Sequence, residues 1–137
     1  KGEGENLVMG NLDAKRDWGH AKDFIEVQWL MLQQKKPDDF VISSGKTYTV
    51  KEFVNKAAKY FGYDLVWKGK GLGEKAYDKK TKKLIVSIDK NFFRPTEVNF
   101  LYGNSSKAKK ILKWSPKTSL DSLIKIMCQD ELNKIRE

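Results

Sequence analysis

Apolar positions recur with two periods along this chain, and the two periods divide it into short strands and helices. Leu7-Val8-Met9 is a brief apolar run closed by Gly10, which predicts a strand. From about Gly19 to Gln34 the spacing is helical. Ala21, Phe24, Ile25, Trp29 and Leu32 fit one face, while Val27, Leu30 and Met31 spread beyond it. A helix apolar on more than one side needs cover on more than one side, and Pro37 stops it. Phe40-Val41-Ile42 predicts another short strand. Thr49-x-x-Glu52 then forms a capping box, in which threonine oxygen and glutamate satisfy each other's backbone donors. The helix it opens carries Val50, Phe53, Val54, Ala57, Ala58 and Phe61 on one face and stops at Gly62.

Leu65-Val66-Trp67 predicts a strand, and Leu84-Ile85-Val86 with Ile88 predicts the next. Between them 68–83, "KGKGLGEKAYDKKTKK", is expected to be a loop, too rich in glycine and lysine to pack. Arg94-Pro95 interrupts regular structure. A helix beginning around Ser105 turns Ala108, Ile111 and Leu112 inward, and Pro116 separates it from a last helix opened by Thr118-x-x-Asp121. Leu120, Leu123, Ile124, Met127, Cys128, Leu132 and Ile135 form the stripe of that helix. The class is α/β, short strands with about four helices, in 137 residues, the size of one domain.

Composition narrows the chemistry. With one cysteine and one histidine, the chain has neither an internal disulfide nor a Cys/His zinc site. Cys128, inside an apolar stripe, is expected to be a small core residue. No apolar run approaches a membrane span and no secretory signal is visible, so a reducing cytoplasm is expected. The chain starts at Lys1, which reads as a beginning that lies elsewhere. The net charge of +9 favours an anionic ligand. Nucleic acid is disfavoured as that ligand, because the lysines are spread from end to end and arginine, the usual base reader, is scarce.

That scarcity points to two positions. Three arginines stand against twenty-four lysines, and only arginine offers a planar fork that grips a phosphate or carboxylate at two points. Arg136 is penultimate. Arg16 and Arg94 both fall in irregular segments just beyond short strands, where binding residues concentrate. The residues alone leave two readings open for each: an anion ligand, or a salt bridge from Arg16 to Asp17 and from Arg94 to Glu97. His20, at a helix start, is expected to cap or pack rather than act as a base, and Trp18 to be a core or lid residue. "GKGLG" (69–73) lacks the following helix of a phosphate loop. No complete catalytic set emerges.

At "GNLDAKRDWGHAKDF" (10–24) the chain closely resembles GDP-mannose 4,6-dehydratases, of the extended short-chain dehydrogenase/reductase superfamily. The likeness continues through "GKTYTVKEFV" (45–54), "GEKAYDKKTKKLIVSIDKNFFRPTEV" (73–98) and "SKAKKILKWSPKTSLDSLI" (106–124). "RDWGHAKD" together with "FRPTEV" is highly specific, whereas the last pattern is shared more loosely among nucleotide-sugar epimerases and dehydratases. One departure is "YGNSSKA" (102–108), where Asn104-Ser105 replaces the usual Asp-Pro.

The resemblance implies an NADP-dependent lyase that oxidises C4 of GDP-D-mannose, eliminates water across C5 and C6 and returns the hydride to C6. The product, GDP-4-dehydro-6-deoxy-D-mannose, is the precursor of GDP-fucose. It further implies that residues 1–137 are the C-terminal, GDP-mannose-binding domain, with the Rossmann half that binds NADP absent. None of the five tyrosines has a lysine four positions later, so the Tyr-x-x-x-Lys pair is missing and no catalytic residue is assigned. By the same analogy Arg16 and Arg94 reach the diphosphate from two sides, Glu97 accepts from the ribose hydroxyls, and Leu7 to Asn11, Val8 among them, line the guanine through backbone groups. The parent enzyme would be a homodimer or homotetramer, and the isolated chain, its over-apolar helix uncovered, could self-associate. A related epimerase, reductase or dehydratase is the alternative, and a basic nucleic-acid module a more distant one.

Overall fold

The computed structural model describes residues 4–136 apart from Pro95 and Glu97. In chain order its elements are β1 (Leu7–Met9), β2 (Lys15–Arg16), α1 (Ala21–Leu32), β3 (Tyr48–Thr49), α2 (Val50–Tyr60), β4 (Leu65–Lys68), β5 (Lys75–Asp78), β6 (Leu84–Ile88), α3 (Ser106–Ile111) and α4 (Leu120–Arg136). Single 3-10 turns occur at Gly71–Gly73 and Lys90–Phe92. The chain divides into two units. The first joins the segment up to Ala14 to Thr49–Asn99; the second joins Lys15–Tyr48 to the chain from Phe100 onward.

The first unit is a four-stranded sheet, order β1-β6-β5-β4, with α2. β1 runs parallel to β6, Leu7 opposite Val86 and Met9 opposite Ile88, while β5 lies antiparallel to both its neighbours. Thr49 caps α2 as its sequence requires: the Thr49 hydroxyl accepts from the Glu52 amide at 3.0 Å, and the Thr49 amide donates to the Glu52 carboxylate at 2.6 Å. Val54, Ala76 and Val86 form the core, joined by Met9, Val50, Leu65, Trp67 and Ile85. Burying such side chains is worth roughly 1.5–3 kcal/mol each.

One strand here corrects the expectation of a loop over 68–83. Lys75–Asp78 pairs on both edges, and its alternate residues Ala76 and Asp78 are buried while Lys75 is exposed. A single apolar residue on the inner face suffices because the flanking strands supply the remaining burial. The Asp78 carboxylate folds the following lysine-rich turn, accepting from the Thr81 amide at 2.8 Å and the Thr81 hydroxyl at 2.7 Å. These two donors hold its pKa below the usual carboxylate value against the opposing effect of burial.

The second unit is helical. Val27, Ala108, Leu112 and Trp114 form its core, with Phe24, Leu30, Met31, Phe40 and Ile42 packed against them. Phe40 and Ile42 therefore line the core while Val41 between them is exposed, and the segment is not the expected strand; the next residue is tied by its side chain, the Ser43 hydroxyl donating to the Gly103 carbonyl at 2.6 Å. In α4, Leu120, Ile124 and Cys128 are buried, whereas Met127 and Ile135 of the expected stripe are half-exposed. Its cap sits one residue later than Thr118-x-x-Asp121 suggests, because the Ser119 hydroxyl accepts from the Ser122 amide at 3.2 Å. Thr118 is otherwise engaged. Its amide and that of Lys117 donate to buried Asp23 at 2.8 and 3.0 Å, tying α1 to the start of α4.

Candidate binding site

Arg16 ends β2 in the second unit, half-exposed, its guanidinium donating to the Lys15 carbonyl at 2.9 Å. The segment beyond it is built by its acids. The Asp17 carboxylate accepts from the amides of Ser44 and Gly45, both at 2.9 Å. Gly45 takes φ +73°, a left-handed backbone that presents its amide alongside that of Ser44. Asp17 is thus the anchor of a loop, which explains an acid directly after the arginine. His20 caps α1, its Nδ1 accepting from the Lys22 amide at 3.0 Å. Capping is the role expected for it.

Asp23 has the most unusual environment among these acids. Burial pushes its pKa up, but the Thr118 amide and hydroxyl, the Lys117 amide and nearby His20 pull it below the usual carboxylate value. A cleft of about 310 Å³ opens in this unit, lined by Trp18, Ser44, Lys46, Tyr48, Lys117 and Ser119 among others, with no carboxylate in its wall. The Lys117 ammonium is paired to Glu26 at 2.7 Å.

Arg94 belongs to the first unit and is exposed, just beyond the 3-10 turn at Lys90–Phe92. Asp89 closes that turn, accepting from the Asn91 amide at 2.8 Å, and its own amide donates to the Met9 carbonyl at 3.0 Å. Val8 lies in β1, 41% exposed, and Asn11 follows it. Both sides of the Asn11 amide are used within the protein. Its oxygen accepts from the Asp13 amide at 3.0 Å and its nitrogen donates to Asn99 at 3.3 Å. The structure therefore brings Asn11 and the segment of Arg94 together within one unit. Glu97 lies outside the described residues. Asp89 and Asn99 were not singled out from sequence, and Asp17 was named there only as a salt-bridge partner for Arg16.

Other chemistry is sparse. Among the described residues no group of acids, histidines and cysteines could hold a metal ion, and no helix is long and apolar enough to cross a membrane. Cys128 is buried, and burial pushes its thiol up, away from the reactive thiolate.

Comparisons with known proteins place this arrangement. The family model described as GDP-mannose 4,6 dehydratase matches residues 1–127. The GDP-mannose 4,6 dehydratase of Dictyostelium discoideum is 49% identical over 98% of this chain, and that of Homo sapiens 46% over 98%. The chain spans only 38% and 36% of those relatives' lengths. Among solved structures, RMD from Pseudomonas aeruginosa complexed with NADPH superposes with a TM-score of 0.69 at 15% identity, over 91% of this chain and 35% of that one. A UDP-glucose 4-epimerase from Thermotoga maritima with UDP-glucose gives 0.65 at 20% identity, over 97% and 36%. At these identities the structural likeness speaks for the fold alone.

Proposed function

Since the chain belongs to the GDP-mannose 4,6-dehydratase family, we propose that it is the GDP-mannose-binding, C-terminal third of such an enzyme. The observation that carries this reading is the match of nearly the whole chain to relatives of that name while covering little more than a third of each. The complete enzyme would convert GDP-D-mannose to GDP-4-dehydro-6-deoxy-D-mannose and water. This chain contributes recognition, and the reacting groups belong to the remainder.

Arg16 and Arg94 are assigned to the diphosphate. Each guanidinium offers two parallel donors to a phosphate, so two of them orient a pyrophosphate in a way that single-point ammonium groups do not. Orientation of this kind can lower a barrier by many kcal/mol when the reacting centre is held elsewhere. Val8 and the backbone of Asn11 are assigned to the guanine, and Glu97 to the ribose.

NADP, the family's cofactor, does not fit the residues present. Gly69–Gly73, the one glycine-rich stretch, is the hairpin connection between β4 and β5. It feeds a strand instead of the helix whose N-terminus would receive a pyrophosphate. NADP is therefore assigned to the rest of the enzyme. The exposed apolar side chains of α1, Ile25, Trp29 and Leu32, are assigned to the same covering portion, and self-association of the isolated chain would be the alternative cover.

The test is a graft. Residues 1–137 replace the corresponding third of the Dictyostelium relative, and conversion of GDP-mannose is followed with NADP supplied. Turnover supports the reading, and turnover lost on Arg16→Ala or Arg94→Ala supports the residue assignment. A folded graft that binds NADP but turns over another nucleotide sugar in preference would replace it with the epimerase or reductase alternative.

A further inference from the structure

Three consecutive residues at the end of β1 are in contact with the chain on both sides of Arg94. The Met9 carbonyl accepts from the Asp89 amide at 3.0 Å. Gly10 lies directly beneath the Phe92 peptide: a Cβ built at Gly10 would stand 2.2 Å from the Phe92 carbonyl oxygen and 2.8 Å from its carbon. Asn11 donates its side-chain amide to Asn99 at 3.3 Å. On the near side the chain is stiffened further, Phe92 donating to the Asp89 carbonyl at 3.1 Å and Phe93 to that of Lys90 at 3.0 Å. Arg94 itself is exposed.

A long, exposed arginine loses much rotamer freedom when it grips a ligand, and a mobile backbone beneath it adds to that cost. Fixing the backbone in advance removes part of the cost. We infer that Gly10 and the Asn11–Asn99 pair are positioning residues for Arg94, setting the origin of its guanidinium before any ligand arrives. The inference rests on the assignment of Arg94 to the diphosphate. It gives Gly10 a specific reason to be glycine, since any side chain there must displace the Phe92 peptide two residues before Arg94. It also divides the work of Asn11: the side chain braces, and the backbone remains for the nucleobase.

The experiment is a set of double-mutant cycles on the 137-residue chain, with GDP-mannose titrated by calorimetry and by NMR up to millimolar ligand. Arg94→Ala should weaken binding about tenfold or more, the scale of a charge-assisted contact. Gly10→Ala should weaken it about tenfold and Asn99→Ala about threefold, and both effects should shrink to less than about twofold in the Arg94→Ala background. That non-additivity separates positioning from general stabilisation, which would cost the same in both backgrounds. If Gly10→Ala fails to fold, the Asn99 cycle decides alone. Equal losses with and without Arg94, or no losses at all, overturn the positioning role and leave Arg94 as a ligand. An unchanged Arg94→Ala, or no saturable binding by the parent chain, overturns the assignment beneath it.

Discussion

The two units solve the same problem, holding irregular segments still, with different chemistry. In the first, strand ladders and the capping box of α2 carry most of the order, and side-chain acids serve turns, as Asp78 does for Thr81. Buried Glu74, paired to Lys51, works away from a turn. In the second, loops are fastened by carboxylates to pairs of successive backbone amides: Asp17 to Ser44 and Gly45, Asp23 to Lys117 and Thr118. A ladder spreads its energy over many weak, replaceable bonds. A carboxylate that holds two successive amides concentrates it, and its removal costs both bonds at once.

That contrast can be sharpened by mutation, beginning with the helical unit's core. Trp114 is 3% exposed, and Trp114→Ala should cost about 3–5 kcal/mol, read as a fall in the urea midpoint. Asp23→Ala should follow at about 2–3 kcal/mol, because two backbone amides lose a charged acceptor. In the sheet unit Val86→Ala should cost about 2 kcal/mol, a simple loss of buried methyls. Thr49→Ala, which removes one half of the capping box, should cost only about 1 kcal/mol by the same assay. If Thr49→Ala proved as damaging as Asp23→Ala, the distinction between spread and concentrated fastening would fail.

Acid supplies a smaller, graded test. Asp23 and Asp78 both have pKa values lowered on folding. Their stabilisation is therefore fully present above the ordinary carboxylate range and is lost as pH falls through the lowered folded values. Stability against urea should decline as pH drops below about 4. Asp23→Asn, which keeps the shape and removes the titration, should flatten part of that decline. An acid limb unchanged by Asp23→Asn would mean that other carboxylates carry it.

Legibility followed the same division. The capping box at Thr49, the apolar face of α2 and the runs of β1, β4 and β6 could be read from spacing, because each is local and repeats with its element's period. β5 could not, since four residues with lysines around them earn their place only by pairing on two edges. Phe40-Val41-Ile42 looked like a strand because its residues are apolar, but Phe40 and Ile42 serve a core, Val41 is exposed, and the segment has no ladder. That α1 is apolar on more than one side was visible in the sequence, but not which side packs: Val27, Leu30 and Met31, expected to spread beyond the main face, pack in the core, while Ile25, Trp29 and Leu32 of that face remain 65%, 60% and 82% exposed. For the site, arginine scarcity singled out Arg16 and Arg94. The acids and amides that hold their segments were hidden, because Asp17 reaches 27 residues along the chain and Asn11 reaches 88.

The central claim is recognition of a diphosphate, and titration of the chain with GDP-mannose, GDP and GMP at constant ionic strength tests it most directly. A site built on two guanidinium forks should bind GDP-mannose and GDP within a few-fold of each other and GMP about tenfold or more weaker. Arg16→Lys should narrow that gap by removing one fork while keeping its charge. GMP bound as tightly as GDP, or a gap untouched by Arg16→Lys and Arg94→Lys alike, would contradict it.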